Sequence, residues 1–152
     1  MSKKGYFDEL QRALARPDAD KLCRQIDDYA AHYANGDSDW PENLANDFDE
    51  IITCHFDDPE KALTYVILAA ARTDDAEFLR YMGCGPLEDA LRDPSEELLG
   101  RVVAEARKSA RFRWLLSNPF KVAIADRAWS AIEGFRMTGP HEEPTLDTLP
   151  PQ

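Results

Sequence analysis

Asp47, Glu50 and Cys54 stand three and four residues apart, the spacing that stacks side chains on one face of a helix, and His55, Asp57 and Asp58 follow at once. Carboxylates, a thiol and an imidazole in such order are the donor types of a metal site. The set selects a metal poorly, because it holds one histidine and no Cys-x-x-Cys pair, and Cys54 suits an apolar packing position equally well. No metal and no other cofactor is expected. Nucleophilic chemistry has as little to build on, since a Cys-His or Ser-His pair would need a tertiary contact with His32, His55 or His141. Cys84 has the most suggestive neighbours of the three thiols: a helix starting just after it would favour the thiolate, with ordinary packing as the alternative. Gly83-x-Gly85 lacks the third glycine and the preceding strand of a dinucleotide loop. Paired carboxylates abound, but in so acidic a chain their proximity says little about acid-base catalysis.

The elements that must hold these residues read as helices. Phe7, Leu10, Ala13 and Leu14 recur at helical spacing until Pro17 stops the pattern. Leu22, Ile26, Tyr29, Ala30 and Tyr33 give one buried face to a second helix, which ends at Asn35-Gly36. Asp39 and Pro41 suit the cap and first position of a third, with Leu44, Phe48, Ile51 and Ile52 inward. Asp58-Pro59 opens the most apolar helix, Ala62 to Ala71, which reads as the buried centre of the core. Thr73 suits the cap of a short helix from Asp74 to Met82. There the chain meets a joint: Gly83 is placed to close one helix in the left-handed conformation, Gly85 and Pro86 to cap and begin the next, and Glu88 to meet its free amides. A sharp corner is predicted, then a brief helix ended by Asp93-Pro94. Ser95 opens a helix toward Lys108, Phe112 to Leu116 lie in a shorter one, and Asn118-Pro119 start a last helix toward Met137 with Val122, Ala125, Trp129 and Ile132 inward. Residues 138–152, with Pro140, Pro144, Pro150 and Pro151, read as a flexible tail after a single domain over 1–137. No stretch alternates at period two, so the fold class is all-α: about eight helices, as an irregular bundle or a short stack of helical hairpins.

The joint also carries a resemblance. Gly85-Pro86-Leu87-Glu88-Asp89-Ala90-Leu91, preceded by Asp58-Pro59-Glu60-x-Ala62 and the apolar helix after it, resembles a family of small uncharacterised bacterial helical proteins with an Ala-Gly-Pro-Leu-Glu-Asp-Leu-Leu signature, over residues 55–133. Cys84 stands where that signature has alanine and Ala90 where it has leucine. The resemblance implies an all-helical architecture and no particular activity.

Charge supplies the functional expectation. The chain has 152 residues and a formal charge of -11, with 43% hydrophobic residues, enough to build a core without disulfide staples. Its three widely spaced cysteines fit a reducing cytoplasm, and no stretch reaches membrane-spanning length. Such an excess of negative charge argues against nucleic acid and anionic membranes, and favours a basic protein. From Gly36 to Glu60 the carboxylates Asp37, Asp39, Glu42, Asp47, Asp49, Glu50, Asp57, Asp58 and Glu60 meet no Lys or Arg. That run is either a solvated face or a binding surface. From Arg101 to Arg127 the balance reverses: Arg101, Arg107, Lys108, Arg111, Arg113, Lys121 and Arg127 face only Glu105 and Asp126. Those bases either neutralise the acidic helices or form a phosphate strip with Phe112 and Trp114 as stacking groups. The leading expectation is a non-enzymatic interaction module, of the immunity or antitoxin kind, whose face from Asp37 to Asp58 binds a basic toxin or nucleic-acid-binding protein. The alternative is a small ligand-binding domain or enzyme with a pocket at Gly83, Cys84, Gly85, Pro86 and Glu88, with Asp89 beside it. Trp40, Trp114 and Trp129 would anchor self-association if exposed, and are otherwise core.

Overall fold

The computed structural model describes residues 8–35, 42 and 44–152, and among them every regular element is helical. Asp8 accepts from the Leu10 amide and starts α1, Glu9–Leu14, before α2, Ala19–Ala34. After α3, Ala45–Thr53, one 3-10 turn, Cys54–Phe56, leads to α4, Pro59–Arg72. Next come α5, Ala76–Met82, a π-helical segment, Gly83–Leu87, and α6, Glu88–Ala90. The chain continues through α7, Glu96–Lys108, and α8, Ala110–Leu116, to α9, Asp126–Ile132. The expected Asp39 cap, Pro41 start and Trp40 anchor lie outside the described residues.

The centre of the molecule is α4. Asp58 Oδ1 accepts from the Lys61 amide at 3.1 Å and Pro59 has no amide to satisfy, so the helix starts cleanly. Ala62 to Ala69 are buried without exception, and α1, α2, α3, α5 and α8 surround them as an irregular bundle. Tyr29 of α2 stacks on Phe48 of α3 at 4.2 Å and meets Phe78 and Tyr81 of α5 at 5.4 and 5.6 Å, a layer of rings closing one side of the core. Asp75, not Thr73, caps α5; the Thr73 hydroxyl instead accepts from the Asp75 amide.

No corner forms at the joint. Gly83 is right-handed helical, with φ -72° and ψ -46°, and the helix continues from Ala76 to Ala90 through the π turn. Pro86 inside a regular α-helix would remove one amide and press its ring on the Met82 carbonyl. The wider π turn relieves both, and the Glu88 amide reaches Gly83 O, five residues back. Gly83 is required for a different reason from the one its position suggested: a Cβ there would sit 2.6 Å from Leu115 O and 2.9 Å from Asn118 Cβ. The glycine lets the end of α8 touch the helix backbone.

The last helix is shorter than its apolar pattern suggested. Asn118 is fully buried and donates to the carbonyls of Trp114 and Leu115 at 3.0 and 3.2 Å, so it closes α8 and does not open another helix. A loop and one 3-10 turn follow, leaving Val122 81% exposed, and α9 starts only at Asp126. Residues 138–152, expected to be loose, lie against the body. Arg136 donates to Gly139 O, Arg80 to Pro144 O, Arg111 to Pro150 O and Trp114 Nε1 to Thr148 Oγ1, while Leu149 packs on the core.

Candidate functional site

The acidic stretch divides into carboxylates the protein uses itself and carboxylates it leaves outside. Gln25 of α2 is fully buried; its Nε2 donates to Asp47 at 3.2 Å and to Glu50 at 2.9 Å, and its Oε1 accepts from the Tyr65 hydroxyl at 2.6 Å. Arg24 adds to Asp47, and Lys21 and Lys61 to Glu50. Asp58 is the cap of α4. Asp47 and Glu50 therefore hold α2, α3 and α4 together, while Asp58 serves its own helix. The run has no base of its own, and at Asp47 and Glu50 the neutralising bases come from other elements. Glu42, Asp49 and Asp57 are exposed with no ion pair among the described residues, and Asp37 and Asp39 lie outside those residues.

Where α3 ends, Asp57 and Asp58 both donate their amides to Cys54 O, at 3.1 and 2.7 Å, and this fixes the 3-10 turn. The turn holds the Phe56 ring out, 78% exposed, against the His55 ring at a centroid distance of 4.1 Å. Beside it lies a groove of about 580 Å³, lined on one wall by Ile52, Thr53, His55, Phe56 and Pro59 and on the other by Asp89, Ala90, Arg92 and Asp93. His55 Nδ1 lies 3.1 Å from Ile52 O and 3.7 Å from Asp89 Oδ2, so the imidazole reaches from its own wall to the other. Two regions that looked independent in the sequence, the acidic run and the end of the joint, thus meet in one place. Arg92 Nε donates to Asp89 at 2.9 Å, and Arg127 pairs with Asp93 at 2.9 Å.

The rest of the joint is structural. Glu88 accepts from the Phe120 amide at 3.1 Å and so ties the loop before α9 to α6; burial raises its pKa. Gly83, Gly85 and Pro86 form the π turn. Cys84 was placed before a helix start that would lower its pKa, but no helix starts there, and burial, with Glu143 and Glu88 nearby, pushes the thiol up. Burial likewise pushes Cys54 up to about 11. Among the described residues no group of three His, Cys, Asp or Glu is arranged to hold a metal.

The basic stretch is also largely spent internally. Arg101 bridges Glu9 and Glu60, Lys108 contacts Asp8 and Glu105, and Arg111 donates to Ala70 O, Thr73 O and Asp74. Phe112 and Trp114 are buried and offer no stacking surface; Trp129 is buried as well. The sequence reading missed Phe56, which follows a helical run as an aromatic outside its stripe, directly before Asp57-Asp58-Pro59. In the sequence, Ile52 reads as a core position of α3 and Asp89 as a neighbour of the joint. Among the described residues no helix is long and apolar enough to cross a membrane.

No curated protein and no solved structure matched the chain. Residues 35–139, a stretch that takes in α3 to α9 and the whole groove, match the model of the family of unknown function DUF6869, and the chain belongs to that family.

Proposed function

We infer that the protein is a non-enzymatic interaction module that receives a basic protein at the groove beside Phe56. The observation supporting this is the ring itself: it stands 78% exposed on a turn fixed by two main-chain bonds, over a groove shared with Ile52, Pro59 and Ala90. Leaving such a ring in water forgoes roughly 25 cal/mol for each Å² that burial would remove, and an apolar centre ringed by charge is the anatomy of an association surface. Asp57, the next residue in the chain, and Asp49 on α3 are exposed without ion pairs among the described residues, and a formal charge of -11 would draw in a positive partner and speed encounter. A toxin with a positive cleft is one such partner, and covering that cleft is what an immunity or antitoxin protein does.

Affinity capture on the full chain tests this reading, comparing wild type with a Phe56→Ala, Asp49→Asn, Asp57→Asn variant at low ionic strength and at about 0.5 M salt, where screening acts within a few ångströms. A basic protein held by wild type at low salt, and lost both on the variant and in high salt, supports it. Equal retention by variant and wild type, or no basic protein at any salt, overturns it.

A further inference from the structure

We propose that the group seated in this groove is an arginine side chain of the basic partner, its guanidinium laid on the open face of Phe56 and bonded to Asp57. This rests on reading the groove as the partner surface and names what fills it. His55 covers one side of the Phe56 ring, tilted 35° to it, while the ring as a whole stays 78% exposed, so the opposite face is open to a flat cation. Asp57 is the next residue and exposed, and Asp49 lies on α3 one turn before Thr53, whose hydroxyl donates to its carbonyl. Across the groove the Asp89 side chain is only 17% exposed and already accepts one guanidinium, that of Arg92. Asp89 is thus already paired inside the chain, and Asp57 is the exposed carboxylate next to the ring with no ion pair among the described residues.

Competing occupants fit less well. A purely apolar segment would cover Asp57 without pairing it, which is unfavourable for a desolvated carboxylate. A phosphate-bearing surface would be repelled by the same groups. Lysine carries the right sign, but its compact and strongly hydrated ammonium cannot lie flat on a ring while forking to a carboxylate, as a guanidinium can.

The test titrates the isotope-labelled full chain with acetylated hexa-arginine amide and with its lysine counterpart at low ionic strength, following amide shifts. The arginine peptide should shift residues 54–58 and 89–93 and bind roughly two- to fivefold tighter than the lysine peptide, the range expected of an exposed cation-ring contact. Phe56→Ala should equalise the two peptides, and Phe56→Tyr, which keeps a ring, should restore the preference. Equal binding to wild type, a preference that survives Phe56→Ala, or shifts confined to other carboxylates would overturn the arginine assignment and leave the acidic surface standing. No saturable binding of either peptide would overturn both.

Discussion

At the scale of single residues, Gly83 and Glu50 show how differently a side chain can matter. Adding one methyl at Gly83 puts a carbon 2.6 Å from a main-chain oxygen of α8, and backbone cannot swing aside as a side chain does. Gly83→Ala should therefore cost about 1–3 kcal/mol or more. Gly100, in the middle of α7 with nothing within 4 Å of the same methyl, gives the opposite expectation: alanine there should stabilise by roughly 0.5–1 kcal/mol through helix propensity. Paired denaturant melts distinguish the two signs. Burial opposes the charge on Glu50, yet hydrogen bonds from Lys61 and Gln25 and the charges of Lys61 and Lys21 outweigh it and hold the carboxyl at about 2. Because that lies below its ordinary 4.5, the contribution is fully present above 4.5 and is lost as pH falls toward about 2. The stability gap between wild type and Glu50→Gln should close across that window in melts run at a series of pH values. A gap independent of pH would assign the stabilisation elsewhere.

At the scale of elements, Arg111 decides whether the C-terminal strap stays down. It is 5% exposed and serves the carbonyls of Ala70 and Thr73 at the end of α4 as well as Pro150 O. Arg111→Met leaves these acceptors unpaired, at about 1–3 kcal/mol for each one that stays buried. Hydrogen exchange should then quicken around Thr148, and unchanged exchange would show that the remaining contacts, among them Leu149, Trp114 and Arg80, hold the strap without Arg111. The elements that could be read from sequence were those whose signals are local. Asp58-Pro59 and Ser95 cap the helices they precede, and the unbroken apolar run of α4 could only be buried. The misreadings lie where a distant contact reassigns a local signal. Asn118-Pro119 resembles a helix start, but Asn118 is drawn into the core to finish α8. Gly83-x-Gly85-Pro86 resembles a corner, but the glycine serves a neighbouring helix and the proline sits in a π turn. The groove was half legible: its carboxylates stood out, whereas Phe56 gains meaning only from the way α3 ends opposite α6.

At the scale of the whole molecule, ion pairs joining distant segments, such as Arg101 with Glu9 and Arg72 with Asp27, use most of the described bases and leave the excess carboxylates to repel one another. Raising salt from about 20 to about 200 mM should therefore raise the melting temperature, since screening relieves long-range repulsion more than short, partly buried pairs. A falling temperature would mean that exposed pairs dominate instead. The strap carries one more implication. Arg80, Arg111 and Arg136 grip it by the oxygens of Pro144, Pro150 and Gly139, atoms that every amino acid displays alike. Side chains such as Thr148, Leu149, Glu143 and the buried Pro144 add to the hold, but these three grips depend on the route of the segment and not on its lettering. The address of that segment is written in three cations elsewhere in the chain.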